Sequence, residues 1–266
     1  MSSPYSDLER PPLRTGWLTR ALVRDGGLWR EVRVLTSTES TNAVVRAEAA
    51  EPEGLVVVAE QQTAGRGRLD RTWTSPPRAG LTFSALLKPS VPDTHWPLLP
   101  LVVGTAVAEA TEAMTELALG LKWPNDILVD DRKLGGILIE RVGPAAVVGV
   151  GINVTMSTAE LPASNATSLL LAGAQVTDRQ SLLAAVLRAI ADRYEQWQTA
   201  ADLSALRTAY ADRCTTIGRD VAVALPDGST LHGQATSIDA AGRLVVSTYD
   251  GQHALSSGDV LHVRPI

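Results

Sequence analysis

The chain has 266 residues, 45% hydrophobic and 20% charged, with a formal net charge of −5, a profile that implies ample core and suits one large domain plus a small one. The negative balance argues against a general nucleic-acid binder, whose affinity rests on a broad basic surface. The longest apolar stretch, Leu98 to Ala108, is interrupted by Pro100 and Gly104 and falls short of the roughly 20 residues of a membrane-spanning helix.

In chain order, the N-terminus is polar and broken by Pro4, Pro11 and Pro12, without the apolar run of a secretory signal, so a cytoplasmic location is expected. A short helix follows, with Trp17, Leu18, Ala21 and Leu22 on one face, then a strand at Glu31 to Leu35 and a second helix starting near Ser40-Thr41-Asn42. Leu55 to Gln61 reads as a buried strand and Leu81 to Leu87 as its partner, so the segment Gly65 to Trp73 is the connection between two strands. A long helix fits Pro97 to about Glu116. Strands fit Leu119–Trp123, Ile127–Val129, Lys133–Arg141 and Val147–Asn153, and helices Arg179–Gln198 and Leu203–Arg213. Mixed strands and helices with hairpin-like strand pairs predict an α/β domain whose sheet is not purely parallel.

After Cys214 the texture changes to short alternating runs: Val221 to Leu225, Leu231 to Ile238 and Leu244 to Thr248, separated by Pro226-Asp227-Gly228, Ala241-Gly242 and Asp250-Gly251. That pattern predicts a small all-β module packed on the first domain, since no long linker separates them. His232, His253 and His262 lie there without metal-ligand spacing and read as structural or exposed. Cys214 is the single cysteine, so it allows no intrachain disulfide and reads as a buried structural thiol.

Three motifs carry chemistry. In Gly65-Arg66-Gly67-Arg68-Leu69-Asp70-Arg71-Thr72-Trp73, glycines let backbone N–H groups approach a ligand while Arg66, Arg68 and Arg71 supply fixed charge that grips a carboxylate or phosphate. A solvated basic loop is the plainer reading of that segment alone. In Lys122-Trp123-Pro124-Asn125-Asp126-Ile127, a strand ends, turns and resumes, presenting polar groups at an edge. Lys133-Leu134-Gly135-Gly136 follows, with glycines that mark either a bulged hairpin or a ligand approaching the backbone. Gly149-Val150-Gly151-Ile152-Asn153 again places glycines in a strand. Of the 24 lysines and arginines only Lys88, Lys122 and Lys133 are lysines, and two of them sit in the second motif. Arginine-rich composition explains the scarcity, but not that placement.

Together with Glu39-Ser40-Thr41-Asn42 and Gln61-Gln62-Thr63-Ala64 before the Gly-Arg segment, these blocks resemble the biotin–protein ligases over nearly the whole chain. The resemblance implies a mixed-sheet, class II synthetase-like catalytic domain at residues 1–214 and a small SH3-like β-barrel at 215–266. It implies two reactions: biotin and MgATP give biotinyl-5′-AMP and pyrophosphate, then a lysine of a biotin carboxyl carrier domain of acetyl-CoA or related carboxylases takes the biotinyl group. It places Lys133 and Arg68 in catalysis, and since no histidine lies beside any motif, Asp126 is the candidate to orient or deprotonate the carrier amine. Biotin would meet Ser40, Thr41, Asn42, Gln62, Gly65, Arg66, Gly67, Arg68, Lys133 and Gly136. ATP would meet Arg66, Arg68, Arg71, Trp73, Asn125, Lys133 and Asn153, with Trp73 stacked on adenine.

Other roles stand beside these. Ser40 to Asn42 can cap a helix, Trp73 can be a core aromatic, and Asp126 can be a turn carboxylate paired with an arginine. One departure from the family pattern is Leu69-Asp70, where some relatives carry Arg-Gly. Lipoate and octanoate transfer enzymes share the fold, but the Gly-Arg-Gly-Arg and Lys-Trp-Pro-Asn-Asp blocks favour biotin. Only about 30 residues precede the first strand, too few for a winged helix-turn-helix, so an enzyme without operator binding is expected, as a monomer or weak homodimer with no membrane partner.

Overall fold

The computed structural model describes residues 10–69, 71–225, 227–256 and 258–263; Pro4, Asp70 and Pro226, cited above, lie outside them. Helix α1 (Thr15–Leu22), strand β1 (Glu31–Leu35), helix α2 (Thr41–Ala47) and β2 (Leu55–Ala59) open the fold. The small pair β3 (Gly65–Arg66) and β4 (Thr72–Trp73) follows, then β5 (Gly80–Leu87) and α3 (Leu99–Thr115), which is preceded by a 3₁₀ segment at Asp93–Leu98. Strands β6 (Gly120–Lys122), β7 (Asp126–Val129), β8 (Arg132–Val142) and β9 (Ala145–Asn153) complete a seven-stranded sheet of order β1-β2-β5-β9-β8-β7-β6. Only β1–β2 is parallel, as a mixed sheet requires. Helices α4 (Arg179–Thr199) and α5 (Ser204–Ala211) follow.

Period-two alternation along the central strands decides which face becomes core and which becomes site. Leu81, Phe83, Ala85 and Leu87 of β5 and Val148, Val150 and Ile152 of β9 point toward α3 and α4, in one continuous core. The opposite face is covered only at one end, where α2 packs Val45 on Leu55, Val57, Leu86 and Val147. Beyond that cap the face is mostly small and polar, with Leu138 as an apolar wall. The register sets Gly149 between Ser84 and Leu138, and Gly151 between Thr82 and Gly136. Three glycines on adjacent positions of one face leave a hollow that larger side chains would fill.

The helical run Asp93–Thr115 is longer than the apolar stretch read from sequence, because Pro97 and Pro100 fall in its first turns, where their missing N–H groups cost little. By length and composition alone it could cross a membrane, yet 72% of that apolar window is buried inside the fold. It is the central core helix.

A buried ion pair closes the N-terminal side. Arg179, at the start of α4, donates to Glu60 at 2.6 Å and to the Pro11 carbonyl at 2.7 Å, while Glu60 also accepts the Leu13 N–H at 2.6 Å. Both side chains are under 10% exposed, so each charge depends on the other.

The C-terminal module is a five-stranded antiparallel sheet of order β13-β12-β11-β10-β14, formed by β10 (Asp220–Ala224), β11 (Thr230–Ile238), β12 (Leu244–Thr248), β13 (Gly251–Leu255) and β14 (Asp259–His262). Val221, Val246 and Val260 join the main core. Trp123 docks the module, its indole Nε1 donating to Gly242 O at 3.2 Å and its N–H to Thr216 Oγ1 at 3.1 Å. The two textures read in the sequence therefore pack together.

Candidate active site

Gly136, Gly149 and Gly151 floor a cleft of about 290 Å³ that opens on the α2 face of the sheet. Two of these glycines are required by what packs over them. A Cβ on Gly149 would run into Asn42 Oδ1, and one on Gly151 would lie 2.5 Å from the Trp73 indole. At Gly136 it would stand 3.6 Å from both Lys133 Nζ and Asp126 Oδ1. Gly149 and Gly151 thus make room for Asn42 and Trp73, whereas a Cβ at Gly136 would be in ordinary contact.

The polar wall comes from the start of α2 and its neighbour β5. Ser40, Thr41 and Asn42 are each at most 5% exposed. Ser40 is the N-cap of α2, but its hydroxyl makes no capping bond, so that hydroxyl remains available to a ligand. Gln62 Oε1 accepts the Thr41 N–H at 2.7 Å. Ser84, fully buried on β5, contacts Thr41 Oγ1 at 2.7 Å and Asn42 Oδ1 at 2.6 Å. Asn42 Nδ2 donates to Glu140 Oε2 at 2.7 Å.

Cations line the other side. The Gly-Arg connection is not a plain loop: Gly65 pairs with Trp73 and Arg66 with Thr72, and Gly67 N–H donates to Arg71 O at 2.6 Å. Gly65 itself sits beneath the cleft rather than lining it, packed on Gln62 and the Trp73 carbonyl. Arg66 is exposed, and its side chain has no partner among the described residues. Arg68 is half-buried, which pulls its guanidinium below its ordinary value, against the opposing charges of Asp126 and Asp259. Arg68 also donates to Asn125 Oδ1 at 3.3 Å. Asn125 is in turn locked to β8, donating to Ile137 O at 2.9 Å and accepting the Ile137 N–H on its own carbonyl at 3.0 Å.

Lys133 is held at both backbone ends, its N–H on Asn165 O at 2.7 Å and its carbonyl accepting from Thr167 N–H at 2.8 Å. Its ammonium meets Asp126 Oδ1 at 2.6 Å, so Asp126 is paired with a lysine and not with an arginine. Burial also pulls the Lys122 ammonium below its usual value, opposed by Asp126 and Asp259 and assisted by Lys133 and Arg71.

Two buried polar atoms on this surface have no partner: Trp73 Nε1, a donor, and Asn153 Oδ1, an acceptor. Asn153 spends its amide N–H on Thr167 O at 2.9 Å. Buried orphans of this kind call for an occupant.

Ser40, Thr41, Asn42, Gln62, Arg66, Gly67, Arg68, Arg71, Trp73, Asn125, Asp126, Lys133, Gly136 and Asn153 all line this one cleft. Sequence reading passed over Ser84, Glu140 and Asp259. Thr82 and Ser84 gave a signal, being polar at period two in an otherwise apolar strand. Asp259 gave none: it arrives from the C-terminal module, where Gly258 and Asp259 line the cleft and Asp259 forms a two-pronged pair with Arg71. Among the described residues no three His, Cys, Asp or Glu side chains converge as a metal site.

A glycine-floored cleft with a hydroxyl–amide wall facing a set of arginines and lysines is built for a polar, anionic ligand pair. Comparison with known proteins identifies the lineage. Residues 32–157 match the biotin/lipoate A/B protein ligase family and residues 216–263 match the biotin protein ligase C terminal domain. The chain is 40% identical to the biotin–[acetyl-CoA-carboxylase] ligase of Mycobacterium tuberculosis over 97% of its own length and 98% of that protein. It is 33% identical to the bifunctional ligase/repressor BirA of Bacillus subtilis over 85% of this chain and 71% of that one. The biotin protein ligase of Aquifex aeolicus, solved in complex with biotin and ATP, superposes with a TM-score of 0.77 at 29% identity, covering 89% of this chain and all of that one. The chain belongs to the biotin protein ligase family.

Proposed function

We propose that this protein is an ATP-dependent ligase that makes biotinyl-5′-AMP from biotin and ATP and transfers the biotinyl group to a lysine of a biotin carboxyl carrier domain, that of acetyl-CoA carboxylase or a related carboxylase. The observation that carries the reading is the placement of Lys133 beside the Gly-Arg hairpin, over glycines that leave room for two anions. The full-length likeness to a biotin–[acetyl-CoA-carboxylase] ligase supports it, and the lipoate alternative gains nothing from these relatives.

In the first step a biotin carboxylate oxygen attacks the α-phosphorus of ATP, and pyrophosphate leaves with the electrons of the broken P–O bond. Two anions must meet, and their repulsion is worst where water is excluded. Lys133 would bridge carboxylate and α-phosphate, with Arg66 and Arg68 on the outer oxygens and Arg71 on the nucleotide. Asp126, 2.6 Å from Lys133 Nζ, holds the ammonium until the anions arrive. It is then placed to orient the carrier amine and take its proton as the amine attacks the acyl carbon and AMP departs. Ser40, Thr41, Asn42 and Gln62 would read the ureido ring. Gly67 and Gly136 would allow close backbone approach, and Gly65 would act from beneath by seating the hairpin on Gln62. Trp73 would stack on adenine, and Asn153 Oδ1 is a buried acceptor left open for the nucleotide. Asn125 would act through Arg68.

Mg²⁺ would enter with the nucleotide, bound mainly by phosphate oxygens and screening their charge, because among the described residues Asp126 and Asp259 are the carboxylates lining the cleft and both are already ion-paired. The same reading divides the chain into a catalytic domain at 1–214 and a β-module at 215–266. It describes a cytoplasmic monomer or weak homodimer that binds neither DNA nor membrane.

The test is intact-mass analysis of apo biotin carrier and lipoyl carrier domains incubated with the protein, MgATP and either biotin or lipoate. A biotin-sized increment on the biotin carrier is expected. It should fall by at least about 100-fold in rate with Lys133→Ala while the fold is kept, since one preorganised charge contact is worth that much. A lipoyl adduct, or no adduct on either carrier, overturns the reading.

A further inference from the structure

The wall of the cleft contains a chain of hydrogen bonds whose direction can be worked out from the residue at its far end. Glu140 Oε2 lies 2.7 Å from Asn42 Nδ2, and its other oxygen is 3.5 Å from Arg46. A carboxylate only accepts, so the Asn42 amide must present its N–H₂ to Glu140; its second hydrogen points at Leu138 O, 3.4 Å away. Asn42 Oδ1 therefore faces Ser84 Oγ, 2.6 Å away, and Ser84 must donate to it. Ser84 has one hydrogen, now used, so its 2.7 Å contact with Thr41 Oγ1 is a bond donated by Thr41. Thr41 has one hydrogen, also used. Its 3.1 Å approach to Gln62 Oε1 then carries none, and it is imposed by the Thr41 N–H bond that holds that oxygen at 2.7 Å.

The consequence appears at the cleft. Thr41 Oγ1 can offer a ligand only lone pairs, and Gln62, its oxygen committed to Thr41 N–H, offers the N–H groups of Nε2. We infer that Glu140, through Asn42 and Ser84, fixes the donor and acceptor pattern of the wall that reads the ureido ring, and is a positioning residue for biotin selection. An acceptor at Thr41 suits a ureido N–H; a donor at Gln62 suits the ureido oxygen. If Asn42 were free to turn over, each link would reverse and the Thr41 hydrogen would be released to Gln62 Oε1, 3.1 Å away, or to the ligand, so the wall would no longer present one fixed pattern. Ser84 and Asn42 are buried, so water does not compete to repair the pattern. Gly149, with no Cβ beneath Asn42, makes the arrangement sterically possible.

This inference rests on the biotin reading above, and the experiment separates the two. Biotin binding to the full-length protein is measured by calorimetry for the wild type, Glu140→Gln, Asn42→Asp, the combined Asn42→Asp/Glu140→Gln exchange, and Ser84→Ala, with ATP-analogue binding and thermal midpoint alongside. Glutamine is nearly isosteric with glutamate but can donate, so Glu140→Gln lets Asn42 turn over and should weaken biotin at least about tenfold with ATP-analogue binding unchanged. Asn42→Asp sets two carboxylates together and should weaken it similarly. In the exchange, the amide introduced on β8 donates to the carboxylate introduced on α2, and that carboxylate accepts from Ser84. The sense of the chain returns, and biotin affinity should recover to within about threefold of wild type, a coupling that loss of packing would not produce. Ser84→Ala breaks the chain one link further in and, with the Glu140 side intact, should cost at least about fivefold. Glu140→Gln or Ser84→Ala binding biotin as the wild type does, or an exchange variant as weak as the product of the two single losses, overturns the inference. A wild type that does not bind biotin overturns the functional reading instead.

Discussion

Gly149→Ala is the sharpest probe of how the floor of the cleft works. The added methyl would overlap Asn42 Oδ1 and stand 3.0 Å from its Cγ. Asn42 cannot retreat, because it is nearly buried and sits over the strand. It must surrender its bonds to Ser84 and Glu140, at 2.6 and 2.7 Å. One of these is charge-assisted, so the loss at the binding wall is about 2 kcal/mol, or about 30-fold in biotin Kd. Overall stability should change less, since replacing a strand glycine by alanine recovers about 0.5–1 kcal/mol of backbone entropy. Gly151→Ala, two residues along the same face, is the matched comparison: its methyl would meet the Trp73 indole at 2.5 Å and should weaken ATP-analogue binding while sparing biotin. Calorimetry with each ligand and a thermal melt of each variant give the answer. Unchanged biotin affinity in a folded Gly149→Ala protein, or both variants losing the same ligand, would refute the assignment of the two glycines to separate subsites.

Three further outcomes are expected. Glu60→Ala leaves Arg179 buried without its carboxylate, and chemical denaturation should show a loss of about 3–5 kcal/mol; a loss under about 1 kcal/mol would mean the Pro11 and Gly80 carbonyls suffice. His262, wedged between Thr216 and Arg219 at 3.1 and 3.2 Å, has its imidazole pushed down to about 4, first by burial and then by Lys122 and Arg219. The unfolded chain takes up that proton at higher pH than the folded one, so stability should fall as pH drops from about 6.5 toward 4, and melts of His262→Asn across that window should show a shallower fall than wild type. Glu116 ends α3 in the left-handed region at φ 60° and is exposed, so Glu116→Gly should raise stability by about 1 kcal/mol, read as a higher midpoint in denaturant.

Much of the fold was legible because burial follows period. Glu31–Leu35 and the β8–β9 hairpin stand where alternation put them, and the change of texture after Cys214 marks the C-terminal β-module. Errors fell where local pattern is silent. Leu55 to Gln61 ends at Ala59, because the Gln61–Thr63 segment leaves the sheet to meet Thr38. The Gly-Arg connection contains a two-stranded pairing too short to announce itself. The long helix read from Pro97 stands at Leu99–Thr115, and what the pattern did not announce is the 3₁₀ lead-in from Asp93.

The sequence alone determined the chemical inventory of the cleft: a cluster of arginines, a lysine at Lys133, amides and hydroxyls before α2, and glycines in strands. Those depend on residue type and neighbours along the chain, which the sequence displays. Only the tertiary structure decided which of them share a face and what each side chain is already bonded to. Ser84 meets Asn42 because α2 packs on β5, Glu140 meets it from β8, and Asp259 meets Arg71 across 188 positions of chain. Such pairings depend on through-space distances of a few ångströms between segments far apart in sequence, and packing, not local pattern, sets those distances.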